Sequence, residues 1–161
     1  MQTVTEWFLS HPGFPPQLAV TLISMLPILE LRAGIPLARM AKLPLEQAIF
    51  FSVLGNVIPI PFILLFIEKI FNWMRPMRFF GKIVRAIEKR AMNKSESIKT
   101  AEFWGIVFFV GIPLPGTGGW TGALIASMLK VELKKAAAAI ALGIAIAATI
   151  MSFISYGVFH M

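Results

Sequence analysis

The 161-residue chain has no cysteine, which excludes disulfide scaffolds, thiolate metal sites and thiol nucleophiles together. Histidine is nearly absent: His11 and His160 lie near the two ends, where imidazoles are ordinarily solvated, so no metal site is expected. Charged residues make up only 14% of the chain, and hydrophobic ones 57%. A mean hydropathy of +0.78 exceeds what a soluble domain of this size hides in one core. Lipid is the missing solvent, and the fold class expected is an all-α integral membrane protein.

Acidic charge is the scarcer sign, leaving a net +7 and a pI near 10.2. The excess is not spread as a nucleic-acid footprint would be. Lys69, Arg75, Arg78, Lys82, Arg85, Lys89, Arg90, Lys94 and Lys99 fall between two apolar regions, the pattern of a cytoplasmic membrane loop, and no nucleic-acid partner is expected. Ile70, Met74, Met77, Phe80, Val84, Ile87 and Ala91 recur there at helical spacing. This predicts a basic amphipathic helix over residues 68–102 on the cytoplasmic leaflet, interrupted early by Pro76 and contacting membrane lipids. Upstream, no Lys or Arg precedes Arg32, and Pro12, Pro15 and Pro16 interrupt the approach to the first apolar run. A cleaved signal peptide is not expected.

Four hydrophobic blocks remain, compared with the roughly 20 apolar residues a spanning helix needs. Two are long, about Ala48 to Ile67 and Ala136 to Phe159. Gly55, Asn56, Pro59 and Pro61 predict a kink in the first, where Asn56 is expected to hydrogen-bond to hairpin backbone. Ala139, Gly143 and Ala147 give the second a small-residue stripe for close helix approach. Two are short, Leu18 to Leu29 and Phe103 to Ile112, and each meets prolines, glycines or charge halfway through a bilayer. The first continues through Pro27 to Ala38, the second through Gly111 to Gly122 and then Ala123 to Leu129. Half-helix, breaking tip and second half-helix predict a re-entrant hairpin in each case.

Shifting the first half by 88 residues maps Pro27 to Pro115, Gly34 to Gly122, Ala38 to Ala126, Met40 to Met128, Lys42 to Lys130, Leu45 to Leu133 and Gly55 to Gly143. The expected organisation is one membrane domain over 1–161, with repeat 1 at about 18–67, a basic linker at about 68–102, and repeat 2 at about 103–159. A hairpin contributes no crossing and a long helix one, so the two repeats must be inverted. With the basic segment in the cytoplasm, both termini lie outside. Inverted repeats with broken helices are the plan of secondary transporters. So few spanning helices argue for a homo-oligomer.

Glu30 and Arg32 are the only charges between Glu6 and Arg39, and both fall at the first tip. Ionisable groups at membrane depth are expensive and usually functional. Glu30 is therefore a candidate carboxylate for coupling to a proton or cation. Arg32 either pairs with it, as a static lock or otherwise, or meets an anionic substrate group. Gly34 and Pro36 complete that candidate site. The second tip, with Pro113, Pro115, Gly116, Thr117, Gly118, Gly119, Trp120 and Thr121, offers backbone amides as a substrate cradle, although a turn that merely needs glycine fits the same residues. Trp120 is placed to stack on an amphiphilic substrate or to pack at the interface. No nucleophile lies near a base and no carboxylates are paired, so neither enzymatic activity nor a cofactor is expected.

The segments Glu30-Leu31-Arg32-Ala33-Gly34-Ile35-Pro36 and Gly111 to Gly122 resemble the putative small multidrug export protein family of prokaryotic membranes. Pro113-Leu114-Pro115-Gly116 is distantly similar to the proline-glycine signature of the DedA superfamily, which implies two facing re-entrant hairpins. Thr117 stands where those proteins commonly place an acid. The first resemblance implies an export activity in the prokaryotic inner membrane; joined to the repeats and Glu30, the expectation is a small secondary transporter exporting small amphiphilic compounds in an ion-coupled manner through a site between the hairpins. The second implies translocation of phosphate-bearing lipids. A non-transporting membrane scaffold is the third expectation.

Overall fold

A computed structural model describes residues 15–76, 81–82, 84–86, 89, 102–114 and 116–157. Among these residues the chain is all-helical and has no strand. Most of the basic segment falls outside the described residues, as does Pro115.

Pro15, extended, and Pro16 at the first helical position open α1, Pro16–Ser24, where a missing amide hydrogen costs nothing. The chain turns through residues 25–29 and enters α2, Glu30–Met40. The helix-breaking tip expected from Pro27 to Ala38 is therefore shorter than its sequence suggested. Gly34 and Pro36 lie inside α2, because Pro36 adopts a helical φ and forfeits only one backbone hydrogen bond, the one to the Arg32 carbonyl. After a tight turn, α3 spans Leu45–Val57, and α4, Pro59–Met74, follows after Ile58. Pro59 interrupts the ladder where the kink was expected, and α4 ends two residues before Pro76. The second half repeats the order with α5, Glu102–Gly111, then a loop, α6, Gly119–Met128, and α7, Leu133–Ser152. A π-helical turn, Phe153–Gly157, extends α7.

The turns after α2 and α6 are built alike, 88 residues apart. Leu43 N–H donates to the Ala38 carbonyl (2.9 Å) and Lys42 N–H to that of Arg39 (3.0 Å). Val131 N–H donates to Ala126 (3.0 Å) and Lys130 N–H to Ser127 (3.0 Å). Both are the six-to-one and five-to-two bonds that close a helix through a left-handed residue. That residue is a lysine each time, Lys42 at φ 59° and Lys130 at φ 55°.

Two compact units emerge. The first holds residues up to Ile58 and from Ile144 onward; the second holds Pro59–Gly143. Each combines a helical hairpin, the start of the helix that follows it, and the distal part of the other long helix. In the first unit Val20, Ile23, Leu37, Ala38, Leu43 and Ala48 form the core, joined by Phe51 and Tyr156. The Tyr156 hydroxyl donates to the Leu43 carbonyl (2.9 Å), and Arg39 lies over its ring at 5.2 Å.

Leu45–Ile67 and Leu133–Gly157 are long and apolar enough to span a bilayer, with only 33% and 39% of their most apolar stretches buried within the protein. A soluble protein's core helix would be mostly covered. Here Ile28 is 89% exposed, and Phe50, Phe62, Trp73, Trp104, Phe108 and Phe153 are also exposed. Such a surface belongs in lipid, and the chain is a membrane protein.

Candidate functional site

The first hairpin turns on an unusual residue. Glu30, the first residue of α2, has φ 49°, in the left-handed region that disfavours any side chain. It is nevertheless only 3% exposed. Its counterpart 88 residues on is Gly118, at φ 133°, which enters α6 at the equivalent point. At this position one half of the chain has glycine, in a conformation other residues do not adopt, and the other half has a buried carboxylate in the left-handed region. Strained backbone of this kind costs about 1–3 kcal/mol and concentrates at functional positions. Glu30 acts electrostatically on Arg32, which is half-buried two residues along α2.

One turn beyond Glu30, on the same face of α2, lies Gly34, buried where α1 and α3 converge. A Cβ there would overlap the Ser24 hydroxyl oxygen and come within 2.8 Å of that of Ser52. Gly55 on α3 is as close: its Cβ would strike the Thr21 carbonyl oxygen and approach Ser24 Cβ to 2.8 Å. The two glycines let three helices meet around Ser24, the last residue of α1. Ser24 and Ser52 are fully buried and Asn56 is 1% exposed. Ser24 Oγ, Ser52 Oγ and Asn56 Oδ1 have no hydrogen-bond partner among the described residues. The hydrogen bond expected between Asn56 and hairpin backbone is therefore not made through its Oδ1.

Pro36 faces elsewhere, into an open cleft of about 610 Å³ with Arg39, Met40, Met151, Ile154 and Ser155. Of the first hairpin's candidates, Glu30 and Gly34 share a face, Arg32 is coupled to Glu30 by charge, and Pro36 borders a separate surface.

The second hairpin is organised by its own backbone. The Thr117 hydroxyl lies 2.9 Å from the Ile112 carbonyl and 2.8 Å from that of Leu114, so its proton is shared within the loop. Gly116, at φ 79°, and Gly118 occupy conformations that require glycine. Pro113, Trp120 and Thr121 are half-buried, and Gly119 is buried. Thr117 also borders an open aromatic cleft of about 360 Å³ with Trp104, Phe108, Ile112 and Leu114. Gly122 and Gly143 repeat the packing of Gly34 and Gly55, but against apolar groups: the Cβ of each would come within 3.0 Å of Val110, and that of Gly143 also of the Val107 carbonyl (2.9 Å).

Ser24 and Ser52 escaped the sequence reading because single serines in apolar helices are common. Their signal lay in the comparison of halves. The glycine contacts align Ser24 with Val110 and Thr21 with Val107, while the 88-residue shift aligns Ser52 with Ile140 and Asn56 with Ile144. All three counterparts of the oxygen-bearing residues are buried aliphatics, at 2% exposure or less.

No curated protein and no solved structure matches the chain. Residues 30–150, from the strained glutamate through most of α7, match the family described as Putative small multi-drug export protein, and the chain belongs to that family.

Proposed function

We propose that the protein is a small secondary transporter that exports small amphiphilic compounds by ion coupling, with Glu30 as the coupling carboxylate. The observation that carries this reading is the placement of Glu30: a buried acid, at a backbone angle suited to glycine, where the other half of the chain has Gly118. A buried carboxylate on strained backbone at membrane depth is expensive, and function is the usual reason for keeping one. Family membership supports export as the activity.

In this reading the two halves are inverted repeats with re-entrant hairpins in a prokaryotic inner membrane, the basic segment on the cytoplasmic side, and the protein works as a homo-oligomer. The matching turns at Lys42 and Lys130 and the matching glycine contacts support a duplicated origin. The short helices α1 and α5, of 9 and 10 residues, support hairpins that enter the bilayer without crossing it. A carboxylate that binds either the coupling ion or a cationic substrate, never both, gives exchange directly.

The test is uptake of a fluorescent lipophilic cation into sealed liposomes holding the purified chain, driven by an imposed ion gradient. Native protein is expected to support flux, and a folded Glu30→Gln variant to lose it. Silence in both favours the second reading, DedA-like translocation of phosphate-bearing lipids. That reading is motivated by the half-buried Arg32 guanidinium, a group suited to phosphate.

A further inference from the structure

We infer that Ser24, Ser52 and Asn56 form a binding site for a small monovalent cation, sodium, at the C-terminal end of α1. Three side-chain oxygens of the first unit are buried to 1% exposure or less, each without a hydrogen-bond partner among the described residues, and two of them, the Ser24 and Ser52 hydroxyls, border one small region. Gly34 defines that region, since its Cβ would overlap the Ser24 hydroxyl oxygen and come within 2.8 Å of that of Ser52. Ser52 and Asn56 stand one turn apart on one face of α3, and Gly55, between them, packs on Ser24.

Leaving three polar atoms unsatisfied away from water is costly, and a fold that merely needed packing would avoid it. The second half shows the alternative: Val110, Ile140 and Ile144 fill the corresponding positions as buried aliphatics. Packing therefore does not require the oxygens, and a ligand does. Their chemistry selects it. All three are hard oxygen donors, which suit an alkali or alkaline-earth cation rather than a soft metal. All three are neutral, and the carboxylate one turn from Gly34, Glu30, is already engaged electrostatically with Arg32. A divalent ion would be undercompensated there, whereas a single charge is tolerable. The position at the end of α1 adds the negative pole of a helix dipole. Sodium rather than a larger ion follows from the crowding of two hydroxyls against one glycine.

The role of this ion as coupling ion rests on the transport reading; its binding does not. The test is thermal unfolding of the purified full-length chain in detergent, titrated with sodium, potassium or choline chloride at constant ionic strength, alongside retention of radiolabelled sodium. A saturating, sodium-specific rise of roughly 5 °C is expected. Ser52→Ala should weaken apparent sodium affinity about tenfold, and Gly34→Ala, which fills the region, should abolish retention. A variant copying the other half, Ser24→Val with Ser52→Ile and Asn56→Ile, should fold and no longer respond to sodium. Should it or Gly34→Ala fail to fold, Ser52→Ala decides by the same readout. Equal responses to the three salts would overturn the proposal, as would undiminished sodium retention in Ser52→Ala. Sodium binding with no lipophilic-cation flux would leave the site standing and remove the export reading instead.

Discussion

The two hairpins are alike in construction and opposite in chemistry. Each places a glycine on its second arm and another on the following helix, so that both pack on the first arm: Gly34 and Gly55 around Ser24, Gly122 and Gly143 around Val110. Each second arm ends through a left-handed lysine, Lys42 or Lys130. The second half then does what packing favours, with glycine at the strained entry to α6 and aliphatics in the core. The first half puts Glu30 at the entry to α2 and three oxygens in the core. The two hairpins thus share their helix contacts and differ in the polarity of what those contacts enclose. The proposed function accordingly rests on the first half.

The comparison breaks most sharply at Glu30. Glu30→Gln should reduce lipophilic-cation flux in liposomes at least tenfold while leaving the yield and helical circular dichroism of the protein unchanged, a loss of about 1.4 kcal/mol or more of coupling. If folding and yield collapse together with flux, Glu30 and Arg32 are a structural lock and the halves differ in stability rather than in function.

The next effect tests the shared packing. Gly55→Ala drives a methyl group into the Thr21 carbonyl, backbone that cannot yield, and should destabilise by about 3 kcal/mol or more. Gly122→Ala meets only a Val110 methyl at 2.5 Å and should cost about 1–3 kcal/mol. Unfolding midpoints in detergent give the order, and equal losses would show that the second half is as rigid as the first.

Backbone strain separates the hairpins more finely. Glu30→Gly should be about 1–2 kcal/mol more stable than Glu30→Ala, because only glycine is relaxed at φ 49°. Gly118→Ala should lose a similar amount at φ 133°. Identical midpoints for the two Glu30 variants would remove strain as the mark of function. The smallest effect concerns Tyr156, whose hydroxyl bond to the Leu43 carbonyl ties the end of the chain to the turn after α2. Tyr156→Phe should cost about 1 kcal/mol and leave flux intact.

Much of the helix layout was legible because it follows from length and hydropathy alone. The short block from Phe103 to Ile112 is α5 within one residue, and the second long block, from Ala136, follows Leu133–Gly157 as far as the described residues run. Glu30 was legible as the single acid between Glu6 and Glu46. The hairpin tip was not. Pro27, Gly34 and Pro36 look like breakers together, yet Pro36 adopts a helical φ and Gly34 is present for the space it leaves rather than the bend it permits. Pattern reading records what a residue type tends to do, and only neighbours reveal which tendency is used.

Sequence alone determined that this chain belongs in lipid, that helices are its elements, and that Glu30 is anomalous, since composition, run length and isolated charge need no coordinates. The tertiary structure decided the rest. It brings Ser24 and Ser52, far apart in the chain, against the one glycine that admits both, and sets Glu30 at an angle meant for glycine. Three-helix convergence depends on side-chain volume at contacts, which no one-dimensional pattern records.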